Sequence, residues 1–213
     1  MTGQEILTTE TDARDYVHGL ADQEAQERLG RYTELLLDEN QRQNLISKPS
    51  ETNLWVRHIA DSAQLLEHVG APEDWSHAPG PWLDLGSGPG LPGLVIAILR
   101  PQLPVVLVES RGRRVEFLQR CVSELALDHC EVLGDRLERV RPFQAWVISA
   151  RAFAPLPKLL RLSAPFSTKA TRYLLPKGRS AAHELKEAKA STRNMFHVKH
   201  SLTDAEAGII VSK

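Results

Sequence analysis

The stretch that decides the fold of this chain is residues 82–93, Trp-Leu-Asp-Leu-Gly-Ser-Gly-Pro-Gly-Leu-Pro-Gly. Its first four residues are those of a short buried strand, and the apolar residues 94–99 that follow predict a helix. Between them stand three alternate glycines, Gly86, Gly88 and Gly90. Glycines let the backbone adopt positive φ and let a ligand lie against the main chain, and the N-terminus of the next helix suits a polar or anionic group. Strand, turn and helix together predict a doubly wound α/β fold that holds a nucleotide-like cofactor.

Composition limits the classes of protein that fit. The chain has 213 residues, of which 42% are hydrophobic and 25% are charged, as expected for one α/β domain with a modest extension. It contains no apolar run of membrane-spanning length and begins without the pattern of a signal peptide. Cys121 and Cys130 form neither a disulfide framework nor a CxxC metal pair. We therefore expect a cytoplasmic protein without a metal site or membrane contact, and a monomer.

Charge is distributed unevenly along the chain. The net charge is −1, but residues 1–40 carry ten acids and three arginines, a net of −7. Residues 141–200 carry twelve Lys or Arg side chains against only Glu184 and Glu187. A polyanionic partner would account for this basic half, and so would a solvated basic surface that has no partner. Charge alone leaves both interpretations open.

The first eight residues are predicted to be a frayed tail, and the first predicted helix begins at Asp22. From Asp22 onward apolar residues recur at helical spacing, and this helix is predicted to end near residue 44 or 45. Ser50 is placed to cap the next helix, and further helical segments follow it. We expect residues 1–70 to be a helical extension that packs on the core of the main domain, which comprises residues 71–213.

The main domain alternates between strand and helix patterns after a turn-rich connection at residues 71–81. The predicted strands are 82–85, 104–108, 130–133, 145–149, 173–175, 195–198 and 208–211. The predicted helices are 91–99, 112–125, 154–163 and 180–190. Strict alternation implies a mostly parallel sheet with helices on both faces. The last two strands can pair only antiparallel because so little chain joins them. The prediction is a Rossmann-like sheet of seven strands that ends in an antiparallel hairpin.

The glycine turn differs from the dinucleotide fingerprint G-x-G-x-x-G. Its spacing is G-x-G-x-G, and Leu91 stands where the third fingerprint glycine would be. Glu109 ends the second predicted strand, where a carboxylate can accept both hydroxyls of a ribose. Asp84 precedes the glycines and could accept a hydrogen bond from an ammonium group of the ligand. These features favour S-adenosyl-L-methionine over NAD, and with it the fold of the class I S-adenosylmethionine-dependent methyltransferases.

Residues 83–93 resemble the bacterial small-subunit ribosomal RNA guanine-N7 methyltransferases, the RsmG family, formerly called GidB. The Leu-Pro-Gly at residues 91–93 is more specific than the glycines. Other similar segments are residues 44–46, 57–62, 109–110, 113–118, 149–154 and 176–178. The resemblance covers about residues 25–211. It implies methyl transfer from S-adenosylmethionine to N7 of a guanine in the 530-loop region of 16S rRNA, with 16S rRNA or the small ribosomal subunit as the partner.

The resemblance also implies site residues. It places cofactor contacts at Gly86, Leu91, Leu137, Glu138 and Arg151. With the rest of the turn and the two acids, the predicted cofactor site is Asp84, Gly86, Ser87, Gly88, Gly90, Leu91, Glu109, Leu137, Glu138 and Arg151. The residues predicted at the mouth of the substrate site are Arg57, His58, Asp61, Ser62, Arg136 and Lys177. Guanine N7 has a free lone pair, so no general base is required, and catalysis would rest on orientation and exclusion of water.

Two alternatives stay open. A small-molecule methyltransferase would not need the net charge of +10 in residues 141–200, nor bind its substrate in a salt-sensitive manner. A regulatory protein with a degenerate site would bind S-adenosylmethionine without turnover on any RNA. Residues 195–200 have no firm match among the segments that carry the resemblance.

Overall fold

The computed structural model describes residues 6–70 and 78–213. Its centre is a sheet of seven strands: β1 (Trp82–Leu85), β2 (Val105–Val108), β3 (Cys130–Leu133), β4 (Val147–Ser149), β5 (Arg172–Gly178), β6 (Phe196–His200) and β7 (Gly208–Ser212). The strand order is β3-β2-β1-β4-β5-β7-β6. Strands β1 to β5 are parallel, whereas β7 pairs antiparallel with both β5 and β6. The predicted doubly wound sheet with a C-terminal antiparallel hairpin is confirmed.

Nine α-helices lie in the described ranges: α1 (Glu10–His18), α2 (Gln23–Asn40), α3 (Lys48–Glu51), α4 (Asp61–Ala63), α5 (Gly93–Leu99), α6 (Gly112–Glu124), α7 (Leu156–Ser163), α8 (Ala181–Glu187) and α9 (Ala190–Met195). A π-helical segment, Trp55–Ala60, leads into α4, and 3₁₀ turns occupy Gln64–His68, Leu137–Arg139 and Ala164–Phe166. Apolar residues form one cluster on each face of the sheet. No helix among the described residues has both the length and the apolar character needed to cross a membrane.

The predicted elements of the sheet agree closely with the observed ones, because strands buried on both faces read as short apolar runs. β1 and β3 have the predicted bounds. β5 runs to Gly178 instead of ending at residue 175, since its pairing with β7 continues past an irregularity at Pro176. The single helix predicted at 180–190 is two helices, with a break after Glu187 where Ala188 is extended.

The N-terminal helices differ more from the prediction. Helix α1 was not predicted; Thr9 and Asp12 close its first turn as a capping box. Helix α2 ends at Asn40 rather than near residue 44, because the Asn40 Oδ1 atom accepts hydrogen bonds from the backbone N–H groups of Leu45 and Ile46. The prediction that Ser50 caps a helix is wrong.

The N-cap position of α3 is held by Ser47, three residues before Ser50, and Ser50 lies inside the helix. Pro49 stands in the first turn of α3. Proline is tolerated there because the first N–H groups of a helix have no intrahelical partner.

The N-terminal helices share a core with the sheet. Leu29, Tyr32 and Leu36 of α2 are fully buried and belong to the same apolar cluster as Leu94 and Ile98 of α5. Of the predicted connection at 71–81, residues 71–77 lie outside the described part of the chain. A division between an extension and a main domain at residue 70 stays a prediction.

Candidate clefts at the carboxyl edge of the sheet

The glycine turn is held between β1 and β2. The backbone N–H groups of Gly86 and Ser87 both donate to the carbonyl oxygen of Val108, at 2.8 and 3.1 Å. Gly86, Gly88 and Gly90 have φ values of +67°, +57° and +100°. These angles lie in the region that only glycine adopts without strain, which explains the three alternate glycines of the sequence. From the extension, the Tyr32 hydroxyl donates to the carbonyl oxygen of Pro89 at 2.9 Å, so α2 fixes the outer side of the turn.

Asp84, a residue of β1, holds the glycine turn in place through hydrogen bonds. Its side chain is fully buried; Oδ1 accepts from the Ser149 hydroxyl at 2.7 Å, and Oδ2 accepts from the Gly93 N–H at 3.2 Å. The Ser149 oxygen in turn accepts from Trp82 Nε1 at 2.8 Å. Burial raises the pKa of Asp84 to about 6, and its hydrogen bonds act in the opposite direction. The carboxylate thus ties β1 to β4 and to α5, and it faces neither of the two clefts described next.

The first cleft, here called the β2–β3 cleft, follows the ends of those two strands and encloses about 280 Å³. Four predicted cofactor residues line it: Gly86, Glu109, Leu137 and Glu138. The Glu109 carboxylate accepts from the backbone N–H groups of Gly88, Ser110 and Arg111 at 3.0, 2.7 and 2.9 Å. Three hydrogen bonds fix its orientation at the cleft wall, and a carboxylate has about four acceptor positions in all.

The other predicted cofactor residues lie elsewhere. Ser87 and Leu91 are buried behind the turn, and the Ser87 hydroxyl donates to the Asp84 carbonyl oxygen at 3.1 Å. Gly88 and Gly90 shape the turn but do not line the cleft. Arg151 lines a different, neighbouring cleft. The structure therefore brings together four of the ten predicted residues in one cleft and uses five more beneath or within the turn.

The second cleft, here called the β4–β5 cleft, is larger, at about 820 Å³. It lies between the ends of β4 and β5, the extension and the hairpin loop. Four predicted residues line it: Arg57, Asp61, Arg151 and Lys177. Sequence reasoning missed Arg179, Thr203 and Asp204, which complete its rim. Asp204 pairs with Arg57 at 3.4 Å and with Arg179 at 3.8 Å. The pair with Arg57 joins residues 147 positions apart, which no local pattern in the sequence reveals.

Arg151 is the most connected cation of this cleft. One guanidinium nitrogen donates to Asp61 Oδ2 and to the Arg57 carbonyl oxygen, both at 3.3 Å. The other is 2.7 Å from His58 Nδ1. His58 is buried, and burial together with the nearby Arg151 and Arg57 charges lowers the pKa of its imidazole to about 3. The ring is therefore neutral at physiological pH.

Three residues predicted at the substrate mouth, His58, Ser62 and Arg136, do not line the β4–β5 cleft. Ser62 is buried, and its hydroxyl donates to the His58 carbonyl oxygen at 2.7 Å. Arg136 lines the β2–β3 cleft rather than the β4–β5 cleft. The Lys177 ammonium reaches the second cleft but already donates to the Ala154 carbonyl oxygen at 2.8 Å and to Glu184 at 3.2 Å. Since Glu184 also accepts from the Leu156 N–H, this pair fixes the chain that follows β4.

The two clefts share one wall, formed by Ala152, Phe153 and Ala154. Ala152 has a φ of +53°, which is unusual for a residue other than glycine and turns the chain sharply after β4. The Phe153 ring packs directly over Gly86, so that a Cβ atom at position 86 would stand 2.6 Å from Phe153 Cδ2. We call these three residues the 152–154 wall. A lone phenylalanine after a strand offers no signal from which this role could be predicted.

The residues of the β2–β3 cleft fit S-adenosylmethionine. Gly86 lines the cleft with backbone, Glu109 offers a carboxylate to ribose hydroxyls, and Leu137 adds an apolar contact beside Glu138. Within the described ranges no three or more His, Cys, Asp or Glu side chains are grouped so that they could hold a metal ion. The fold and the site together define a class I S-adenosylmethionine-dependent methyltransferase.

Comparisons with known proteins narrow this class to one family. The family described as rRNA small subunit methyltransferase G, GidB, matches residues 25–208. A protein of Erythrobacter litoralis named ribosomal RNA small subunit methyltransferase G is 52% identical over 98% of both chains. One of the same name from Sphingopyxis alaskensis is 55% identical over 85% of this chain and 75% of its own. The chain belongs to the rRNA small subunit methyltransferase G family.

Solved structures agree at the level of the fold. The mitomycin 7-O-methyltransferase MmcR has a TM-score of 0.54 and 17% identity, over 83% of this chain and 59% of its own. The pre-rRNA processing protein fibrillarin from Methanococcus jannaschii has a TM-score of 0.52 and 15% identity, over 71% of this chain and 74% of its own. At such identities the similarity concerns the fold alone.

Proposed function

We propose that this protein transfers a methyl group from S-adenosylmethionine to N7 of a guanine in the 530-loop region of 16S rRNA, by direct in-line displacement. The observation that carries the proposal is the pair of clefts at the carboxyl edge of the sheet, separated only by the 152–154 wall. One cleft has the residues for a cofactor, and the other is wide and bordered by arginines. A methyl group would pass from one cleft to the other past this wall.

In the β2–β3 cleft, Glu109 would accept the ribose hydroxyls and Leu137 would contact the adenine ring. Bound here, S-adenosylmethionine supplies a methyl group on a positively charged sulfur. Leu91 and the turn glycines are proposed cofactor residues that shape the turn beside this cleft, and Arg151 is proposed to reach the cofactor from the neighbouring β4–β5 cleft. Ser87 and Asp84 would contribute by fixing the turn, because their polar atoms are bonded within the chain.

In the β4–β5 cleft, the chain would orient the guanine rather than deprotonate it. The N7 lone pair needs no base, and His58 is buried with both ring nitrogens bonded. Arg57 and Arg179 stand 55% and 72% exposed at the rim, where they can contact phosphate or guanine O6. The methylated base gains positive charge. It is therefore favourable that Arg151 and Lys177 are each paired with a carboxylate, Asp61 and Glu184.

The proposed partner is 16S rRNA or the small ribosomal subunit, with the protein acting as a monomer in the cytoplasm. The basic residues 141–200 support a polyanionic substrate, since they contribute the rims of both clefts.

The test is an assay of the purified protein with labelled S-adenosylmethionine on small subunits that lack the modification. We expect label in N7-methylguanine, located to the 530 loop by nuclease mapping, and no label with the G86D variant. Absence of N7-methylguanine from every form of the substrate, naked RNA, precursor particle and mature subunit, would overturn the proposal. Cofactor binding without turnover would favour a regulatory protein, and salt-insensitive turnover of a small molecule would favour the other alternative.

A further inference from the structure

We propose that His58 is the positioning residue for Arg151: its neutral imidazole, supplied by the N-terminal extension, accepts a hydrogen bond that aims the guanidinium into the β4–β5 cleft. The proposal rests on the proposed function for the role of Arg151 in the site. The contact joins residues 93 positions apart, at 2.7 Å, and brings a segment outside the methyltransferase sheet into the architecture of the site.

The hydrogen-bond partners of His58 determine which of its two ring nitrogens carries the hydrogen. Arginine nitrogens donate and never accept, so His58 Nδ1 must be the acceptor for Arg151 and must carry no hydrogen. The hydrogen of a neutral imidazole then sits on Nε2, which lies 2.8 Å from the Ser50 hydroxyl oxygen. That hydroxyl donates its own hydrogen to the Ser47 carbonyl oxygen at 2.7 Å, and its oxygen, with two lone pairs, can accept from His58 as well as from the Ser47 hydroxyl at 3.1 Å.

This chain of hydrogen bonds starts at a backbone carbonyl and ends at the guanidinium. Ser50 thus has a definite task in place of the helix cap predicted for it. Protonation of His58 would put an N–H group against the Arg151 N–H group, which excludes the imidazolium from this arrangement. Burial of the ring and the adjacent arginine charges both favour the neutral form.

Asp61 completes the arrangement from the same segment. It accepts from Arg151 through Oδ2, while Oδ1 accepts from the Thr203 hydroxyl at 3.0 Å and from Gln64 at 2.9 Å. The guanidinium is therefore held on two sides by neighbouring turns of one helical stretch. The π-helical geometry of Trp55–Ala60 sets His58 and Asp61 on that side, and π-helical turns occur often at functional sites.

The decisive comparison uses five proteins: wild type, H58L, H58N, R151A and the H58L/R151A double variant, which completes the cycle. Leucine removes the acceptor, whereas the asparagine Oδ1 atom can replace Nδ1. We expect H58L to lower kcat/KM on small subunits about ten- to a hundredfold. The loss should fall on the same kinetic constant, kcat or KM, that the R151A variant changes. H58N should recover most of this loss, and the double variant should be no worse than R151A alone.

The matched control is V56A, a truncation of a buried residue of the same helical segment that lines neither cleft. It should lose stability and keep its kcat and KM. Equal losses in V56A and H58L would overturn the positioning role, as would additive effects in the double variant or wild-type kinetics in H58L.

A second readout needs no activity. Nitrogen NMR of the imidazole should show hydrogen on Nε2 of His58 and none on Nδ1 in the wild type, and a mixture of tautomers in R151A. If the wild type methylates no small subunit yet shows this tautomer, the proposed function fails and the contact stands. If it is active but carries the hydrogen on Nδ1, the positioning contact fails alone.

Discussion

Gly86 is the point at which a single side chain would disturb both clefts. Its φ is +67°, and a Cβ atom would stand 2.6 Å from the Phe153 ring. We predict that G86D abolishes binding of S-adenosylmethionine in calorimetry, because aspartate strains the turn, displaces the ring and adds negative charge beside Glu109.

The control for this variant is G30A. Gly30 lies within α2, and nothing stands within 4 Å of a Cβ atom placed there. Alanine should leave cofactor affinity unchanged and stabilise the fold by up to about 1 kcal/mol. Wild-type affinity in G86D would remove the glycine turn from the cofactor site.

His58 predicts a pH dependence of stability. Burial and the adjacent arginine charges lower the pKa of the folded protein's imidazole from its usual 6.5 to about 3. The unfolded chain therefore binds a proton between these values that the folded chain does not. The stability that this group contributes is complete above pH 6.5 and is lost as the pH falls towards 3.

Between pH 7 and pH 5 the wild type should therefore lose about 2 kcal/mol more of its free energy of unfolding than H58N does. Urea denaturation at the two pH values measures the difference. H200N, which alters an exposed histidine of β6, is the comparison for nonspecific effects. Parallel pH profiles of wild type and H58N would contradict the prediction.

At the scale of elements, one side chain ends the longest helix. Asn40 accepts from the N–H groups of Leu45 and Ile46 through Oδ1 and donates to Glu51 at 2.6 Å. We predict that N40A lowers the free energy of unfolding by about 1–3 kcal/mol, because two N–H groups lose their acceptor. Q41A, one position further at an exposed site, should be close to neutral in the same urea titration. A neutral N40A would show that the loop finds other acceptors.

The strands of the sheet could be predicted because a strand that is buried on both faces is a short run of apolar residues in the sequence. β1 is four consecutive buried residues, and its bounds follow from them. Helix α1 has only Ala13 and Val17 buried, so its apolar pattern is too sparse to predict a helix, although Thr9 and Asp12 match a capping box. A π-helical turn such as Trp55–Ala60 has no periodic signature at all.

The candidate site was predictable where it lies near the glycine turn along the chain. Gly86 and Glu109 follow neighbouring strands, and the carboxyl ends of parallel strands meet at one edge. Phe153 and Asp204 reach the clefts through a sharp bend after β4 and through the hairpin loop. Their positions depend on tertiary packing, which leaves no local pattern. The same applies to Ser62, whose place on the buried side of its helix only the structure reveals.

Across the whole molecule, some segments balance their Lys and Arg side chains with acidic residues and others do not. Arg31 of α2 pairs with Glu124 of α6 at 2.6 Å, and Arg42, two residues beyond the end of α2, pairs with Asp38 at 2.7 Å. The opposite sign dominates at residues 141–200, which carry twelve cations and two acids. Arginines thus neutralise part of the acidic extension, while residues 141–200 keep an excess of positive charge although Arg151, Lys177 and Arg179 each pair with a carboxylate.

Lys158 and Lys169 are both exposed. Replacing each of them with alanine tests whether the basic residues 141–200 contact a polyanionic partner. Lys158 lines the β2–β3 cleft, whereas Lys169 precedes β5 at the opposite edge of the sheet. We predict that K158A weakens binding to small subunits and reduces the slope of log affinity against log salt by about 1, and that K169A changes neither. Filter binding at several salt concentrations measures both quantities. Equal slopes in the two variants would exclude a phosphate contact at Lys158.

If cofactor and RNA occupy the two clefts as proposed, the 152–154 wall would link their binding thermodynamically. Any displacement of the Phe153 ring by a ligand in one cleft alters the shape of the other, because the same three residues line both. Linkage is reciprocal: the factor by which the cofactor changes the affinity for RNA equals the factor by which RNA changes the affinity for the cofactor. After the methyl group has moved, both ligands are chemically altered. Because the 152–154 wall lines both clefts, each product would affect the release of the other directly. No conformational change would have to be transmitted across the molecule.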